Sequence, residues 1–325
     1  MKKHIFFFIS IVLLIIATMV GCKKITDITL PLDLYLAVGK TATLTVTITP
    51  ENASNQAVSW SSSDSNIAIV DDGIVTGIAA GRAVITATSK EGNHTTKCFV
   101  TVLQPIEPEM VWVKGGTFTM GCSDDECRPA ELPNHEVTVS SFNIGKYTVT
   151  QKEWKSVMEN LPTLYFTGDD IPISNITFES IQIFITRLNA VTGKNYRLST
   201  EAEWEYATRG GNKSKGFKYS GSDDVDLVAW YSGNSGSIVH PVGKKQPNEL
   251  GIYDMSGNIC EYCSDWVAVY TNDPQTNPTG PSEGTYHVLR DGGFTADAQF
   301  VRVSIRGYTK ANKMEGLGFR LVHPE

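Results

Sequence analysis

Tyr196-Arg197-Leu198-Ser199-Thr200-Glu201-Ala202-Glu203-Trp204-Glu205-Tyr206-Ala207 is the stretch on which the reading of the fold turns. Thr200-Glu201-Ala202-Glu203 is a capping box, in which hydroxyl and carboxylate each satisfy a backbone N–H that the first helical turn leaves open. Trp204-Glu205-Tyr206-Ala207 then continues as a helix that Gly210-Gly211 stops. Thr150-Gln151-Lys152-Glu153 opens another short helix, through Met158. From Thr177 to about Ala190, Ile181, Phe184, Ile185 and Leu188 recur on one helical face. Elsewhere in residues 109–325 strands are short and loops are long. Loops beyond about 15 residues in a compact domain need a stabiliser or a function.

Upstream, residues 25–103 have a different grammar. Leu44, Val46 and Ile48 alternate with threonines, the period of a half-buried strand. Val58 and Trp60, Ile67 and Ile69, Val84 and Ile85, then Phe99, Val100 and Val102 continue in bursts. Turns fall at Gly39-Lys40, Pro50-Glu51-Asn52, Asp71-Asp72-Gly73 and Ala80-Gly81. Strands at this spacing predict an all-β sandwich, with Trp60 in its core. The strings around Leu36–Thr41, Val58–Ser63, Gly73–Gly77 and Gly81–Ala83 resemble the bacterial Ig-like group 2 family, which implies a spacer or adhesion module. Gln104-Pro105-Ile106-Glu107-Pro108 reads as a stiff linker.

Composition narrows the function classes. The 325 residues carry 28 Lys+Arg against 35 Asp+Glu, a net charge of −7. That acidic balance argues against nucleic acid as a partner, since a binding body needs a basic face. The N-terminus is an address. Met1-Lys2-Lys3-His4 is basic, Ile5 to Val20 is almost wholly apolar, and Gly21-Cys22 follows. An apolar run of this length is short for a span of about 20 residues. Met19-Val20-Gly21-Cys22 resembles a bacterial lipobox, which implies cleavage after residue 21 and a lipid on Cys22. The expected setting is the bacterial cell envelope, with the outer membrane favoured. The domain reading is therefore signal peptide 1–21, Ig-like domain 22–103, linker 104–108 and second domain 109–325.

With Cys22 lipidated, Cys98, Cys122, Cys127, Cys260 and Cys263 remain, an odd number in an oxidising compartment. Cys122 and Cys127 lack nearby histidines, so a local disulfide is a better reading than zinc. Cys260 and Cys263 sit in an apparent strand, where an odd separation sends side chains to opposite faces.

The second domain carries six blocks in order. They are Met110–Gly121, Glu131-x-Pro133-x-His135-x-Val137, Lys146–Trp154, Tyr196–Ala207, Gly251–Asn258 and Gly318-Phe319-Arg320-Leu321-Val322. Together they resemble the formylglycine-generating enzyme (sulfatase-modifying factor) family. The resemblance implies a mixed α+β, C-type-lectin-like fold with little regular secondary structure. It also implies copper chemistry at two cysteines five residues apart, just after an Arg-Gly-Gly turn. Soft thiolates suit Cu(I), and hard side chains do not replace them. Here the turn reads Arg290-Asp291-Gly292-Gly293. Counted from Arg290 the cysteine positions fall on Ala296 and Val301; counted from the glycines they fall on Asp297 and Arg302. Neither register holds a thiol, so no catalytic residue and no copper are expected.

Other chemistry is sparse. The six histidines include no closely spaced pair. His135 reads as a hydrogen-bonded structural residue. Glu201, Glu203 and Glu205 invite a reading as paired carboxylates, but alternate helix positions do not face each other, so they read as a capped, solvated helix start. Asp254, Gly257, Ile259 and Glu261 occupy i, i+3, i+5 and i+7 around a glycine turn. Two carboxylates and two carbonyls there suit one hard cation, and in the resembling enzymes the matching residues hold structural Ca²⁺. Tyr270, Tyr286, Phe294 and Phe300 lie in or beside long loops. They read either as a ligand face for a glycan or peptide, or as filling for an irregular core.

Three functions compete: an anchored non-catalytic binding or assembly module, a formylglycine-generating oxidase using an unrecognised centre, and an envelope structural component with protein partners.

Overall fold

The computed structural model describes residues 23–310 and 314–324. Cys22 and the rest of the predicted signal lie outside the described residues.

The first domain is built from β1 (Asp27–Thr29), β2 (Asp33–Ala37), β3 (Thr41–Thr43), β4 (Thr47–Thr49), β5 (Val58–Ser62), β6 (Ala68–Asp71), β7 (Ile74–Gly77), β8 (Gly81–Ser89) and β9 (Thr95–Leu103). A four-stranded sheet β2-β9-β8-β5 and a three-stranded sheet β3-β7-β6 enclose Leu36, Val75, Ile85, Cys98 and Val100. Alternation puts Ala83, Ile85 and Ala87 of β8 inward, the period a one-sided strand requires. Trp60 packs half-buried against this core. The β6–β7 hairpin turns at Asp72 (φ 44°) and Gly73 (φ 81°), the Asp-Gly pair that a tight hairpin favours. A Cβ on Gly73 would meet the Leu44 carbonyl oxygen at 2.7 Å.

The linker is pinned rather than free. Ile106 N donates to Ser156 Oγ at 2.9 Å, and Glu107 accepts from Lys194 Nζ at 2.6 Å and Tyr196 Oη at 2.9 Å. Leu103 at the end of β9 already belongs to the second domain's core, with Tyr35 and Ala37 packed against it. Arg187 lies 5.0 Å over the Tyr35 ring, and Arg82 pairs with Glu159. The Ig-like sandwich therefore shares a hydrophobic seam with its neighbour.

The second domain comprises β10 (Met110–Val113), β11 (Gly116–Met120), β12 (His135–Val139), β13 (Phe142–Gly145), α1 (Gln151–Met158), α2 (Phe178–Thr192), β14 (Arg197–Leu198), α3 (Glu201–Thr208), α4 (Val225–Val228), β15 (Cys260–Trp266), β16 (Gln275–Thr276), β17 (His287–Arg290), β18 (Arg306–Gly307), β19 (Leu317–Phe319) and β20 (Leu321–Pro324). Its three small sheets run β10-β13-β20-β14, β11-β12-β16 and β18-β17-β15-β19. The caps expected at Thr150 and Thr200 are present, and Thr177 caps α2 in the same way, each accepting from the backbone three residues on. Gly193 and Gly210, both at positive φ, follow the ends of α2 and α3. Ile181, Phe184, Ile185 and Leu188 of α2 are buried, and Trp154 stacks on Phe184 at 5.2 Å. This mixed α+β architecture is the one the sequence implied.

β15 lies between two cores. Tyr262 and the half-buried Cys260 face the α1–α2 side, while Cys263 faces the core around Trp204, Tyr206 and Met255. The two cysteines point to opposite faces, as their spacing predicts.

Candidate functional site

Helix α3 carries a buried charge network. Arg290 at the end of β17 is fully buried and bridges Glu201 Oε1 at 3.0 Å and Glu205 Oε2 at 2.8 Å. Arg306 of β18 holds both oxygens of Glu201, at 2.6 and 2.7 Å, and Arg209 reaches Glu205 at 2.8 Å. The expectation of a solvated helix start is corrected here. Glu201 and Glu205 stand four apart, so they share a face that β17 and β18 cover. Glu203, on the outer face, keeps the predicted capping role and takes a bidentate pair from Arg197 at 2.7 Å. Burial pushes the Glu201 carboxyl up, but Arg306 and Arg290 outweigh it and hold the group below its ordinary value.

Beside this network opens a cleft of about 510 Å³ lined by Met120, His135, Glu201, Asp265, Tyr270 and Arg306, among others. Asp265 Oδ2 accepts from Glu201 N and Ser264 Oγ, each at 3.0 Å. Burial first, and then the Glu201 charge, push its carboxyl up to about 7. It can gain or lose a proton near neutrality, which the sequence did not reveal. His135 is fixed as structure, its Nδ1 3.3 Å from the Pro133 carbonyl oxygen and its ring edge-on to Tyr270.

The four aromatic residues read as a ligand face do not share one. Tyr270 lines the cleft and donates to Glu201 Oε1 at 3.1 Å, with Arg306 4.0 Å above its ring. Tyr286 stacks on Tyr308 elsewhere, at 5.0 Å. Phe300 carries Arg128 on its ring at 4.1 Å. Phe294 is buried with Val239 and Ile259, so it is core.

Around the predicted calcium turn, Asp254, Gly257 and Asn258 all take positive φ. A Cβ on Gly257 would lie 2.3 Å from the Trp230 carbonyl oxygen, so glycine is required. Asp254 Oδ2 accepts from Gly243 N at 2.7 Å, while Oδ1 is buried without a partner. Burial pushes this carboxyl up to about 6. Asp291 Oδ2 is likewise buried and unpartnered. An orphaned carboxylate oxygen at Asp254 fits a hard cation. Glu261 is engaged differently: Oε1 takes Thr148 Oγ1 and Arg320 Nη2, each at 2.9 Å, and Oε2 takes Trp204 Nε1 at 2.8 Å and Arg320 Nε at 3.2 Å. These four donors use the lone-pair sites of its carboxylate. Among the named residues, the fit to a cation rests on Asp254.

The family cysteine positions hold other chemistry. Ala296 and Val301 pack in one apolar cluster with Tyr219 and Val228. Asp297 is exposed and accepts from Ser232 Oγ at 2.9 Å. Arg302 is buried on Glu131, 3.0 Å from each oxygen, and its Nη1 lies 3.6 Å from Cys122 Sγ. Cys122 and Cys127 form the expected disulfide.

Comparison with known proteins agrees with this architecture. Residues 99–324 match the family model of the sulfatase-modifying factor enzyme 1-like domain, and residues 26–100 match the bacterial Ig-like domain, group 2. A protein of Paenibacillus barcinonensis named chaperone protein LppX is 32% identical, over 74% of this chain and 93% of its own length. The formylglycine-generating enzyme of Mus musculus is 26% identical, over 65% of this chain and 74% of that protein. Among solved structures, Treponema denticola variable protein 1 superposes with a TM-score of 0.60 at 28% identity, covering 66% of this chain and 95% of that one. The chain belongs to the sulfatase-modifying factor enzyme 1-like family, with a bacterial Ig-like domain of group 2 ahead of the family domain.

Proposed function

We propose that the protein is a non-catalytic binding or assembly module of a bacterial envelope, anchored through lipid on Cys22. The state of its thiols carries this reading. Linear Cu(I) coordination needs two converging thiolates. The free cysteines among the described residues are Cys98, Cys260 and Cys263. Cys98 lies in the Ig-like core, and burial pushes its thiol up to about 11. Cys260 and Cys263 face different cores, and burial drives both thiols upward too. Burial disfavours the thiolate form at all three. The Paenibacillus relative, named a chaperone rather than an oxidase, agrees with this reading.

A peptide containing Cys-x-Pro-x-Arg, incubated with the protein, copper, oxygen and a thiol reductant, tests the non-catalytic reading by mass spectrometry. The expected result is no conversion of the peptide thiol to an aldehyde. Turnover that vanishes in Cys260→Ser or Cys263→Ser would establish an oxidase instead. For the anchor, the native protein should partition into detergent and Cys22→Ala should accumulate as uncleaved precursor.

A further inference from the structure

The cleft beside Glu201 holds an acceptor that the charge network leaves unused. Asp265, in its inner wall, is only 5% exposed. Its Oδ2 is engaged by the Glu201 N–H and the Ser264 hydroxyl. Among the described residues no other residue donates to Oδ1, and that atom is not sealed from solvent. A Cβ on Gly280 would lie 3.4 Å from this oxygen and 3.0 Å from the Asp265 Cβ, so a side chain there would cover it and glycine leaves it bare. The neighbouring cations are committed elsewhere. Arg306 directs Nε and Nη2 to Glu201 and Nη1 to the Ala130 and Ala268 carbonyl oxygens. Arg290 donates to Glu201, Glu205 and the Val303 carbonyl oxygen, and Arg197 pairs with Glu203. One carboxylate oxygen therefore faces the cleft with no ion-pair partner among the described residues. Around it the wall is apolar at Met120, Pro278 and Pro281, with hydroxyl groups at Thr276 and Thr279.

We propose that this cleft binds a primary ammonium at the end of an alkyl chain, the group that a lysine side chain carries. A guanidinium fork is matched by two carboxylate oxygens, and a divalent cation needs several oxygen ligands. A single presented oxygen suits a compact ammonium with three rotatable donors. The threonine hydroxyls can accept its remaining N–H groups, and the apolar wall packs the methylenes leading to it. The net charge of −7 favours the approach of a basic partner. The inference deepens the binding reading above and rests on it. Its test involves no copper, thiol oxidation or membrane partition, so the two fail separately.

The test titrates two amines into the full-length protein in detergent at low salt, read by calorimetry: an acetylated, amidated tripeptide with a central lysine, and the diamine cadaverine. It is run at about pH 8, where the Asp265 carboxyl, pushed up to about 7, is mostly charged. Binding should be millimolar or tighter, and tripeptides with norleucine or arginine in place of lysine should bind at least about tenfold more weakly. Asp265→Asn keeps the shape of the side chain and removes its charge, and should weaken binding of the lysine peptide about tenfold. Asp273→Asn removes the same charge from an exposed position outside the cleft lining and should leave the affinity unchanged. Binding of the peptide alone assigns the ammonium to a protein partner, and binding of cadaverine alone to a free amine; either supports the site. The proposal is overturned if neither amine binds, if the norleucine or arginine peptide binds as tightly as the lysine peptide, or if Asp265→Asn leaves the affinity intact. The norleucine comparison uses the unaltered protein, so it decides the matter even where the Asp265 variant fails to fold.

Discussion

Arg290 Nη2 meets Glu205 Oε2 at 2.8 Å with both side chains fully buried, joining the C-terminal end of β17 to the middle of α3. Taking two charges out of water costs several kcal/mol, which their attraction offsets only while both partners remain. Removing one leaves the other stranded. Glu205→Ala should therefore destabilise the protein by about 3–5 kcal/mol. Glu203→Ala, which loses an exposed-face pair and a cap, should cost only about 1 kcal/mol. Urea unfolding of both variants checks the ratio, and equal losses would place the network outside the stable core.

Asp254 gives a metal prediction. Its Oδ1 is buried without a hydrogen-bond partner, and a bound cation would satisfy it. The thermal midpoint should rise when Ca²⁺ is added after EDTA treatment, by about 2.7 kcal/mol of stability at one hundred times the dissociation constant. Asp254→Asn should remove the calcium response. A midpoint indifferent to both EDTA and Ca²⁺ would refute the site.

Asp265 predicts a pH dependence. Its carboxyl is pushed up to about 7 in the fold, from an unfolded value near 3.8. The folded state holds the proton more tightly, so this group's stabilisation is present below about pH 4 and lost as pH rises through 7. The loss is on the order of 4 kcal/mol. Asp265→Asn should flatten the stability curve between pH 5 and 8. Thermal midpoints of the two proteins across that range decide it; parallel curves would contradict the assignment.

The disulfide closes a short loop beside Arg302. Chain entropy for a bridge of sequence separation 5 corresponds to about 2 kcal/mol. Cys127→Ser should lose about that much, measured under oxidising conditions, and a reductant should lower the wild-type midpoint to match.

Much of the fold was legible because its signals are local. Thr150 and Thr200 announce helices through bonds spanning three residues, α2 announces itself through its apolar period, and Asp72-Gly73 announces a hairpin through its own backbone preferences. The alternation of Ala83, Ile85 and Ala87 reads directly as one buried sheet face. Spacing also placed Cys260 and Cys263 on opposite faces of β15 and joined Cys122 to Cys127. The aromatic residues were harder. Tyr270, Tyr286, Phe294 and Phe300 look alike in a loop-rich sequence, and only their neighbours separate a cleft wall from a core filler.

The sequence by itself determined the two domains, the helix starts, the strand period and the absence of thiols after Cys263. The tertiary structure alone decided where the charges go. Glu205 meets Arg290 across 85 positions, Glu131 meets Arg302 across 171, and Glu261 meets Arg320 across 59. The stacking of Phe178 on His287 is of the same kind, with Phe178 contributed from a distant helix. Caps and alternation are set by bonds between near neighbours, so they leave a pattern in the chain. A buried ion pair between remote segments leaves none, because its partners are chosen by the folding of everything between them.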